Sequence, residues 1–265
     1  MNNSLTEEQV KVLNMSQSVI NEVRKVIIGK DEIIIKVLLS ILAGGHILIE
    51  DIPGVGKTTL AVALSKALSL DYKRLQFTPD VLPTDVTGFT ILNKETHKFE
   101  YKQGAALTNL FLADEINRTS SKTQSALLEV MEEGKVTVDG ITHKMPDPYI
   151  VIATQNPVGS IGTQMLPESQ MDRFIVRLTM GYPNIESEVA MLKSKQNLVP
   201  VDNVRPVVSA EDILHARKVV ENIYVSDQVF QYIVMLANVT RNNEYIKLGL
   251  SPRGTIALLR MTKAT

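Results

Sequence analysis

The stretch from Ile47 to Thr59, ILIEDIPGVGKTT, constrains the fold more than any other part of the chain. An apolar run that favours a strand leads into a glycine-rich loop, and the loop leads into a helical pattern. Such a loop wraps backbone N–H groups around phosphate oxygens, while a lysine neutralises charge and a hydroxyl binds Mg²⁺. The standard pattern G-x-x-x-x-G-K-[ST] has a glycine where this chain has Asp51. That position lies at the strand exit, furthest from the phosphates, so the pattern still predicts a phosphate-binding loop.

The alternative is a chance G-x-G-K-T in an ordinary turn. At typical residue frequencies its odds are roughly one in a hundred for a chain of this length. The strand before the loop and the amphipathic helix after it lower those odds further. We therefore predict that nucleotide and Mg²⁺ bind here. The predicted nucleotide-binding residues are Asp51, Pro53, Gly54, Val55, Gly56, Lys57, Thr58 and Thr59 together with Asp114, and the predicted Mg²⁺ ligands are Thr58 and Asp114.

Short β-rich runs alternate with helical patterns from His46 to about Met180. Several of these runs are almost continuously apolar, as expected for parallel strands that are covered by helices on both faces. The pattern predicts an α/β fold with a doubly wound parallel sheet. The predicted strands are His46–Glu50, Tyr72–Thr78, Asn109–Glu115, Tyr149–Gln155 and Phe174–Met180.

Two insertions interrupt this alternation. The segment Pro83–Gly104 is rich in turn residues, and Asp139-Gly140 is the signature of a type I′ hairpin. A capping box at Ser121-Lys122-Thr123-Gln124 predicts the start of a helix that Gly134 ends. We expect both insertions to project from the surface.

Strand signals vanish after Pro183, which predicts a nucleotide-binding domain over residues 1–183 and a small helical domain over 184–265. The last helix opens with Ser251 as cap and Pro252 in its first turn. It runs to Thr265 without a stop signal, so we expect a truncated helical domain. The predicted helices of this part are Glu186–Gln196, Ser209–Glu221, Ser226–Thr240 and the one that begins at Ser251-Pro252.

Polar side chains follow two of the predicted strands. Asp114 could hold Mg²⁺ through its water shell, and Glu115 could position or deprotonate an attacking water. Asn156 ends the next apolar strand, where its amide could orient that water. Taken alone, the two acids could be solvated loop residues and Asn156 a turn former before Pro157. Because ligands in open α/β sheets lie beyond the carboxyl ends of the strands, we predict that these side chains join the phosphate loop.

Two arginines stand out by their position. Arg253 lies in the first turn of a helix, where the macrodipole disfavours a cation, so a nearby phosphate would compensate; a solvated arginine is the alternative. Arg173 directly precedes the last predicted strand, whereas the phosphate loop follows the end of a strand. These ends are opposite in a parallel sheet, so Arg173 is not expected to reach the phosphates bound by its own chain. Its alternative is a local ion pair with Asp172 or another acid.

Net charge, cysteine content and the length of the apolar runs limit the classes of partner and the cellular location that we expect. The chain of 265 residues has a net charge of −1, which argues against a nucleic-acid partner, and it has no cysteine. The most apolar run, 33–43, is well short of the roughly 20 residues that a membrane span needs, so it predicts a buried helix. With no secretory signal at the start, we expect a cytoplasmic protein.

These segments together resemble the MoxR family of AAA+ ATPases. The matching segments run from about Ile28-Gly29 to Arg253 in the family's order and read EDIPGVGKTTLA, QFTPDVLPTDVTG, LFLADEINR, KTQSALLEVMEEGKVTVDG, VIATQNP, LPESQMDRF, GYP and LSPRG. The family commonly carries Glu-Asp or a similar pair at the position of Asp51, which explains the missing glycine.

The resemblance implies an α/β domain with a helical lid that assembles into rings, usually hexamers, with nucleotide between subunits. By position, Asn156 resembles the first sensor and Arg253 the second sensor on the lid. Arg173 resembles the arginine finger, which reaches the γ-phosphate bound by a neighbouring subunit. The family is thought to act as chaperone-like ATPases on protein clients, often with von Willebrand factor A domains. We therefore expect a Mg²⁺-dependent ATPase that remodels a protein partner. The alternatives are an ATP-gated scaffold with little turnover and a DNA-acting AAA+ protein.

Overall fold

A computed structural model describes residues 5–156, 166–194 and 201–265. Its centre is a parallel sheet with the strand order β2-β5-β8-β1-β9. Each predicted strand is present, with shorter ends than the apolar runs indicated. The bounds are β1 Ile47–Glu50, β2 Tyr72–Gln76, β5 Leu110–Asp114, β8 Ile150–Gln155 and β9 Val176–Leu178.

Both faces of the central strands are buried, because their side chains alternate between two apolar clusters. Leu110 and Leu112 of β5 belong to one cluster, while Phe111 and Ala113 belong to the other. The same alternation holds in β1 and β8. This confirms that the continuous apolar runs are strands covered on both sides.

Helices cover the sheet and extend beyond it. The predicted apolar helix is present as α2, and half of its residues are buried. The helices are α1 Glu7–Arg24, α2 Asp31–Leu42, α3 Lys57–Ala67, α4 Pro83–Thr87, α5 Ser121–Glu133, α6 Glu168–Met171, α7 Ile185–Ser194, α8 Ala210–Glu221, α9 Asp227–Arg241 and α10 Pro252–Ala264. None of the helices in the described ranges is long and apolar enough to cross a membrane.

The two insertions form antiparallel hairpins. Within Pro83–Gly104, α4 is followed by β3 Gly88–Asn93 and β4 Lys98–Gln103. The second hairpin pairs β6 Lys135–Val138 with β7 Ile141–Lys144. Its turn residues Asp139 and Gly140 have φ of 49° and 79°, and two positive values are what a type I′ turn requires.

The predicted capping box at Ser121 is wrong by one residue. Ser120 is the N-cap of α5, and its side chain accepts a hydrogen bond from the backbone N–H of Thr123. Gln124 instead donates its amide to the carbonyl of Ile116, in the buried turn before the helix. The prediction that Gly134 ends this helix is confirmed, since its φ is 60°.

The described residues after Pro183 form helices joined by loops, and they contain no strand. The predicted helix Glu186–Gln196 corresponds to α7, and its last two residues lie outside the described ranges. Ile213, Ala216 and Val220 of α8 belong to the same buried cluster as α2 and the inner face of the sheet. The predicted cap Ser251 is confirmed at α10, and Ser209 and Ser226, the first residues of two predicted helices, are the N-caps of α8 and α9.

Candidate functional site

Side chains from three neighbouring strands meet at the carboxyl-end edge of the sheet. The strands β1, β8 and β5 lie side by side, so the residues that follow them are brought together. The glycine loop and Lys57 follow β1. Asp114 ends β5 and Glu115 follows it, while Asn156 follows β8. The sequence prediction that these groups meet is consistent with the strand order.

The loop between β1 and α3 needs glycine for its backbone rather than for space. Gly54 and Gly56 have φ of 87° and 98°, and a Cβ atom added at Gly54 would meet no atom within 4 Å. A side chain at either position would therefore be strained by the left-handed backbone. Gly56 caps α3, whose first N–H groups precede the helical hydrogen-bond ladder and are available to an anion. Thr58 and Thr59 lie in this first turn.

Asp51, the residue in place of the standard glycine, is buried and joins the loop to the end of β9. One carboxylate oxygen accepts the N–H of Ile52 at 2.8 Å, and the other accepts the N–H of Gly181 at 2.6 Å. Lys30 Nζ reinforces the same turn by donating to the carbonyls of Met180 and Gly181. The Asp51 side chain therefore fixes where the loop begins.

Lys57 has a largely buried ammonium group directed at the loop. Its Nζ donates to the carbonyl oxygen of Asp51 at 2.5 Å. Burial lowers the pKa of Lys57, and the charges of Asp114 and Asp51 partly oppose that shift. A buried cation beside free backbone N–H groups suits a polyanionic ligand.

Both carboxylate oxygens of Asp114 are hydrogen-bonded. Thr154 Oγ1 donates to Oδ1 at 2.6 Å, and Arg74 Nη2 of β2 donates to Oδ2 at 2.7 Å. Thr154 Oγ1 in turn accepts the N–H of Glu115 at 2.8 Å. Sequence reasoning missed Thr154 and Arg74, because neither belongs to a local motif.

Glu115 has φ of 58°, a conformation that few non-glycine residues adopt. Its carboxylate accepts hydrogen bonds from Arg118 Nη1 at 2.8 Å and from Asn156 Nδ2 at 3.1 Å. Burial raises the pKa of Glu115, but these bonds and one from Gln76 outweigh it, so the pKa lies below its usual value. The carboxylate is consequently ionised and able to accept a proton at neutral pH.

Asn156 is buried between Glu115 and the turn that follows β5. Its backbone N–H and carbonyl are bonded to the side chain of Asn117, which fixes its orientation. Its Oδ1 atom is buried and has no hydrogen-bond partner among the described residues. An unpaired acceptor beside an ionised carboxylate fits a water molecule that donates to both.

The acid and hydroxyl groups fit Mg²⁺ only in combination with a phosphate ligand. Among the described residues, no three His, Asp or Glu side chains form a ready-made metal site. Mg²⁺ typically keeps several waters and binds through one or two carboxylates together with substrate phosphates. Thr58 and Asp114 are compatible with that mode, in which Asp114 acts through water.

A cleft of about 410 Å³ adjoins the loop on the side away from β5. It is formed by the segment after α1, by Pro53 to Gly56 and by Tyr182-Pro183. Ile27, Ile28 and Pro183 give it apolar walls. A flat apolar group attached to the phosphates would be accommodated there.

The two predicted arginines lie at the opposite, amino-end edge of the sheet. Arg173 precedes β9, and the N–H of nearby Ile175 bonds the carbonyl of His46 just before β1. Glu132, near the end of α5, accepts Arg173 Nε at 2.9 Å and also pairs with Arg253 Nη2 of α10. Sequence reasoning had left a local ion pair open for Arg173; its partner is Glu132, and Asp172 bonds Ser251 instead.

Arg253 has an anion to offset its position in the first turn of α10, and that anion is Glu132. A bound phosphate is therefore not needed to explain this cation, contrary to the argument from the helix dipole alone. The shared carboxylate also brings Arg253 to the same edge as Arg173, away from the phosphate loop of its own chain.

Comparisons with known proteins give a consistent picture. A family model described as the ATPase family associated with various cellular activities (AAA) matches residues 46–176. YeaC of Bacillus subtilis, an uncharacterised protein, is 49% identical over 245 residues, which are 92% of this chain and 77% of YeaC. The chaperone MoxR1 of Mycobacterium tuberculosis is 34% identical over 252 residues, 92% of this chain and 66% of MoxR1.

A solved structure agrees with these relatives. The crystal structure of a candidate ATPase from Cytophaga hutchinsonii superposes with a TM-score of 0.88 at 39% identity. The match covers 97% of this chain and 81% of that one. The likeness therefore includes the helices after Pro183 as well as the sheet.

Proposed function

Because this chain belongs to the MoxR family of AAA+ ATPases, we propose that it binds ATP with Mg²⁺ and hydrolyses it to remodel or activate a partner protein. The observation that carries the proposal is the meeting of Lys57, Glu115 and Asn156 at one edge of the sheet. The relative named as a chaperone, MoxR1, supports a protein client.

The phosphates would lie in the glycine loop, with Lys57 and the first N–H groups of α3 as donors. The apolar cleft beside the loop would take the base. Thr58 and water bound to Asp114 would hold Mg²⁺, which neutralises charge on the phosphates. Arg74 and Thr154 fix the direction of the Asp114 carboxylate by donating a hydrogen bond to each of its oxygens.

Glu115 would accept the proton of the attacking water, and Asn156 Oδ1 would orient that water. The hydrogen bond from Asn156 Nδ2 to Glu115 keeps the two groups together. A pKa below the usual range makes Glu115 a weak base but one that is ionised throughout the neutral range. Asn156 would position the water for this proton transfer, and Glu115 would accept the proton.

Arg173 and Arg253 would act on the nucleotide of a neighbouring subunit. From His46 to Asp51 the sheet alone spans about 17 Å, which exceeds the reach of an arginine side chain. Two cations at the edge opposite to the chain's own loop suit a ring in which each subunit completes the next site. We therefore propose a homo-hexamer. Residues 184–265 would form the lid of each subunit. From the family resemblance we also propose a cytoplasmic location and a client with a von Willebrand factor A domain.

A scaffold that binds ATP with little turnover is the second candidate. The ion pair between Arg118 and Glu115 favours it, because it engages the carboxylate that hydrolysis requires. Phosphate release by the wild-type protein separates the two candidates. A DNA-acting AAA+ protein would instead show hydrolysis that DNA stimulates.

Lys57→Ala tests the nucleotide site directly. It should abolish tight ATP binding measured by calorimetry, because Lys57 supplies the cation of the loop. Lys66→Ala is the matched control, since Lys66 is in the last turn of the same helix and pairs with Asp202. Undiminished binding by Lys57→Ala would mean that the loop does not hold the phosphates.

A further inference from the structure

Glu132 connects two arginines that come from distant parts of the chain. Its Oε2 accepts Arg173 Nε at 2.9 Å, and its Oε1 pairs with Arg253 Nη2. The three residues are separated by 41 and 121 positions in sequence. The carboxylate thus joins the segment before β9 to the first turn of α10.

The shared carboxylate resolves a conflict of charge. Two guanidinium groups in one place repel each other, and α10 directs its positive end at the same place. The hydrogen bonds from Arg173, more than those from Arg253, hold the pKa of Glu132 below its usual range, so it is anionic at neutral pH. One negative charge between two positive ones leaves the group with a net positive charge.

The ion pairs with Glu132 do not engage all the N–H donors of either guanidinium group. Glu132 takes Nε of Arg173 and Nη2 of Arg253, and Ser169 O accepts Nη1 of Arg173 at 3.1 Å. The side chains of Arg173 and Arg253 are 29% and 46% exposed. They line an open cleft of about 460 Å³, so their further N–H groups can meet an anion from another molecule.

A second link fixes the frame around this group. Ser251 Oγ, which caps α10, lies 2.7 and 2.8 Å from the two carboxylate oxygens of Asp172. Asp172 and Arg173 are adjacent, and so α10 and the segment before β9 are joined twice. Glu132 supplies the link that acts on the guanidinium groups themselves.

We propose that Glu132 is a positioning residue, which holds Arg173 and Arg253 side by side so that both reach one phosphate of a neighbouring subunit's nucleotide. This inference rests on the proposed ATPase function. Glu132 would not touch the nucleotide; it would set the spacing and direction of the two groups that do. It would also make hydrolysis depend on where α10 lies relative to α5 and to the segment before β9.

The test is Glu132→Gln, compared with Glu133→Gln. Glutamine keeps the shape but can accept from only one arginine at full strength and has no charge. We expect kcat for ATP hydrolysis to fall roughly 10- to 100-fold, as for a misplaced catalytic group, with KM for ATP nearly unchanged. Glu133 is the matched control because it is adjacent and exposed and pairs with Lys135. Its variant should keep the wild-type kcat.

Subunit mixing distinguishes positioning from a general structural role. Glu132→Gln subunits retain an intact phosphate loop, while Lys57→Ala subunits present an intact arginine pair. Mixing the two should restore part of kcat, which a merely unstable Glu132→Gln subunit would not regain. Glu132→Asp keeps the charge with a shorter reach and should have an intermediate kcat.

The outcomes are separable. A kcat for Glu132→Gln at or above the wild-type value, or no recovery in mixed rings, overturns the inference while the ATPase stands. If Glu132→Gln does not fold in a thermal melt, Glu132→Asp decides: an intermediate kcat with an unchanged KM supports positioning, and a wild-type kcat overturns it. If the wild-type protein releases no phosphate from ATP, the proposed function is wrong, and the inference about Glu132, which rests on it, is wrong as well.

Discussion

The two edges of the sheet differ in how completely their polar groups are satisfied. At the carboxyl end, Lys57, Asp114 and Asn156 are each less than 10% exposed, and their polar atoms are mostly bonded within the chain. At the amino end, Arg173 and Arg253 are partly exposed and share one carboxylate. The first edge is a largely completed site, whereas the second presents charge to another molecule.

This difference also appears in what holds each edge. The carboxyl-end groups follow three adjacent strands of one sheet, so the sheet's hydrogen bonds fix their spacing. The amino-end arginines are held by α5 and by α10, which belongs to the helical part of the chain. We therefore expect the first edge to be rigid and the second to depend on how α10 packs.

The largest effect that separates the roles of the two edges is expected for Arg173→Ala. If the amino-end edge serves only a neighbouring subunit, the variant should bind ATP nearly normally but hydrolyse it roughly 10³- to 10⁵-fold more slowly, as for other arginine fingers. Phosphate release and calorimetry measure the two effects. Arg177→Ala is the control, since Arg177 is exposed on β9 and pairs with Glu50.

Mixing Arg173→Ala with Lys57→Ala subunits tests whether the amino-end edge of one subunit meets the carboxyl-end edge of the next. Activity should return where an intact loop faces an intact Arg173. If mixed rings form and remain inactive, the assignment to a neighbouring subunit is wrong. Normal hydrolysis by Arg173→Ala alone would leave its ion pair with Glu132 as a structural contact.

The second test concerns the carboxyl-end edge alone. Glu115→Gln should keep ATP and Mg²⁺ binding but lose roughly 10²- to 10⁴-fold in turnover, because an amide cannot accept the proton of the water. Single-turnover phosphate release measures this loss. Glu129→Gln, an exposed residue of α5, should hydrolyse like the wild type. Turnover near the wild-type rate would mean that Glu115 does not activate the water.

Local sequence was sufficient for the carboxyl-end edge, for a physical reason. The requirements of the loop are met by neighbouring residues: Gly54 and Gly56 adopt positive φ, and Lys57 follows directly. Apolar strands in a parallel sheet then bring their carboxyl ends together. The sheet and the meeting of these groups with Glu115 could therefore be predicted from the order of the residues alone.

Contacts between distant segments could not be predicted in this way. Arg74 meets Asp114 because β2 pairs with β5, and Glu132 meets Arg253 only after α10 packs against α2, α8 and α9. No spacing in the sequence encodes either pair. The misplaced cap of α5 has a local cause instead, since Ser120 and Ser121 are adjacent and both can cap a helix.

The smallest expected effect is one on stability and concerns His46, which lies directly before β1 at the amino-end edge. Its Nδ1 accepts the N–H of Val151 at 3.1 Å, and its Nε2 lies 3.0 Å from the carbonyl of Met131. Only the neutral ring with a proton on Nε2 satisfies both bonds. Burial lowers the pKa of His46 from 6.5 to about 4, in agreement with that tautomer.

This shift makes stability depend on pH in a definite direction. Between pH 6.5 and about 4 the unfolded chain binds a proton at His46 that the folded chain does not, so stability should fall as the pH falls. The loss should reach about 2 to 3 kcal/mol, since partial exposure of the residue reduces the full effect of the shift. Above that window the contribution is complete, and below it no further loss arises from this group.

Urea unfolding of His46→Asn at several pH values across this window measures the effect. Asparagine can accept from Val151 and donate to Met131 but does not titrate, so its stability should fall less steeply with acid than that of the wild type. His97→Asn is the control, because His97 lies in an exposed turn with φ of 52°, which asparagine tolerates. Equal slopes for the wild type and His46→Asn would mean that the folded protein protonates His46 at its ordinary pKa. The two hydrogen bonds of His46 would then not keep its ring neutral in acid, and they would contribute less to the packing of the amino-end edge below Arg173 than their distances imply.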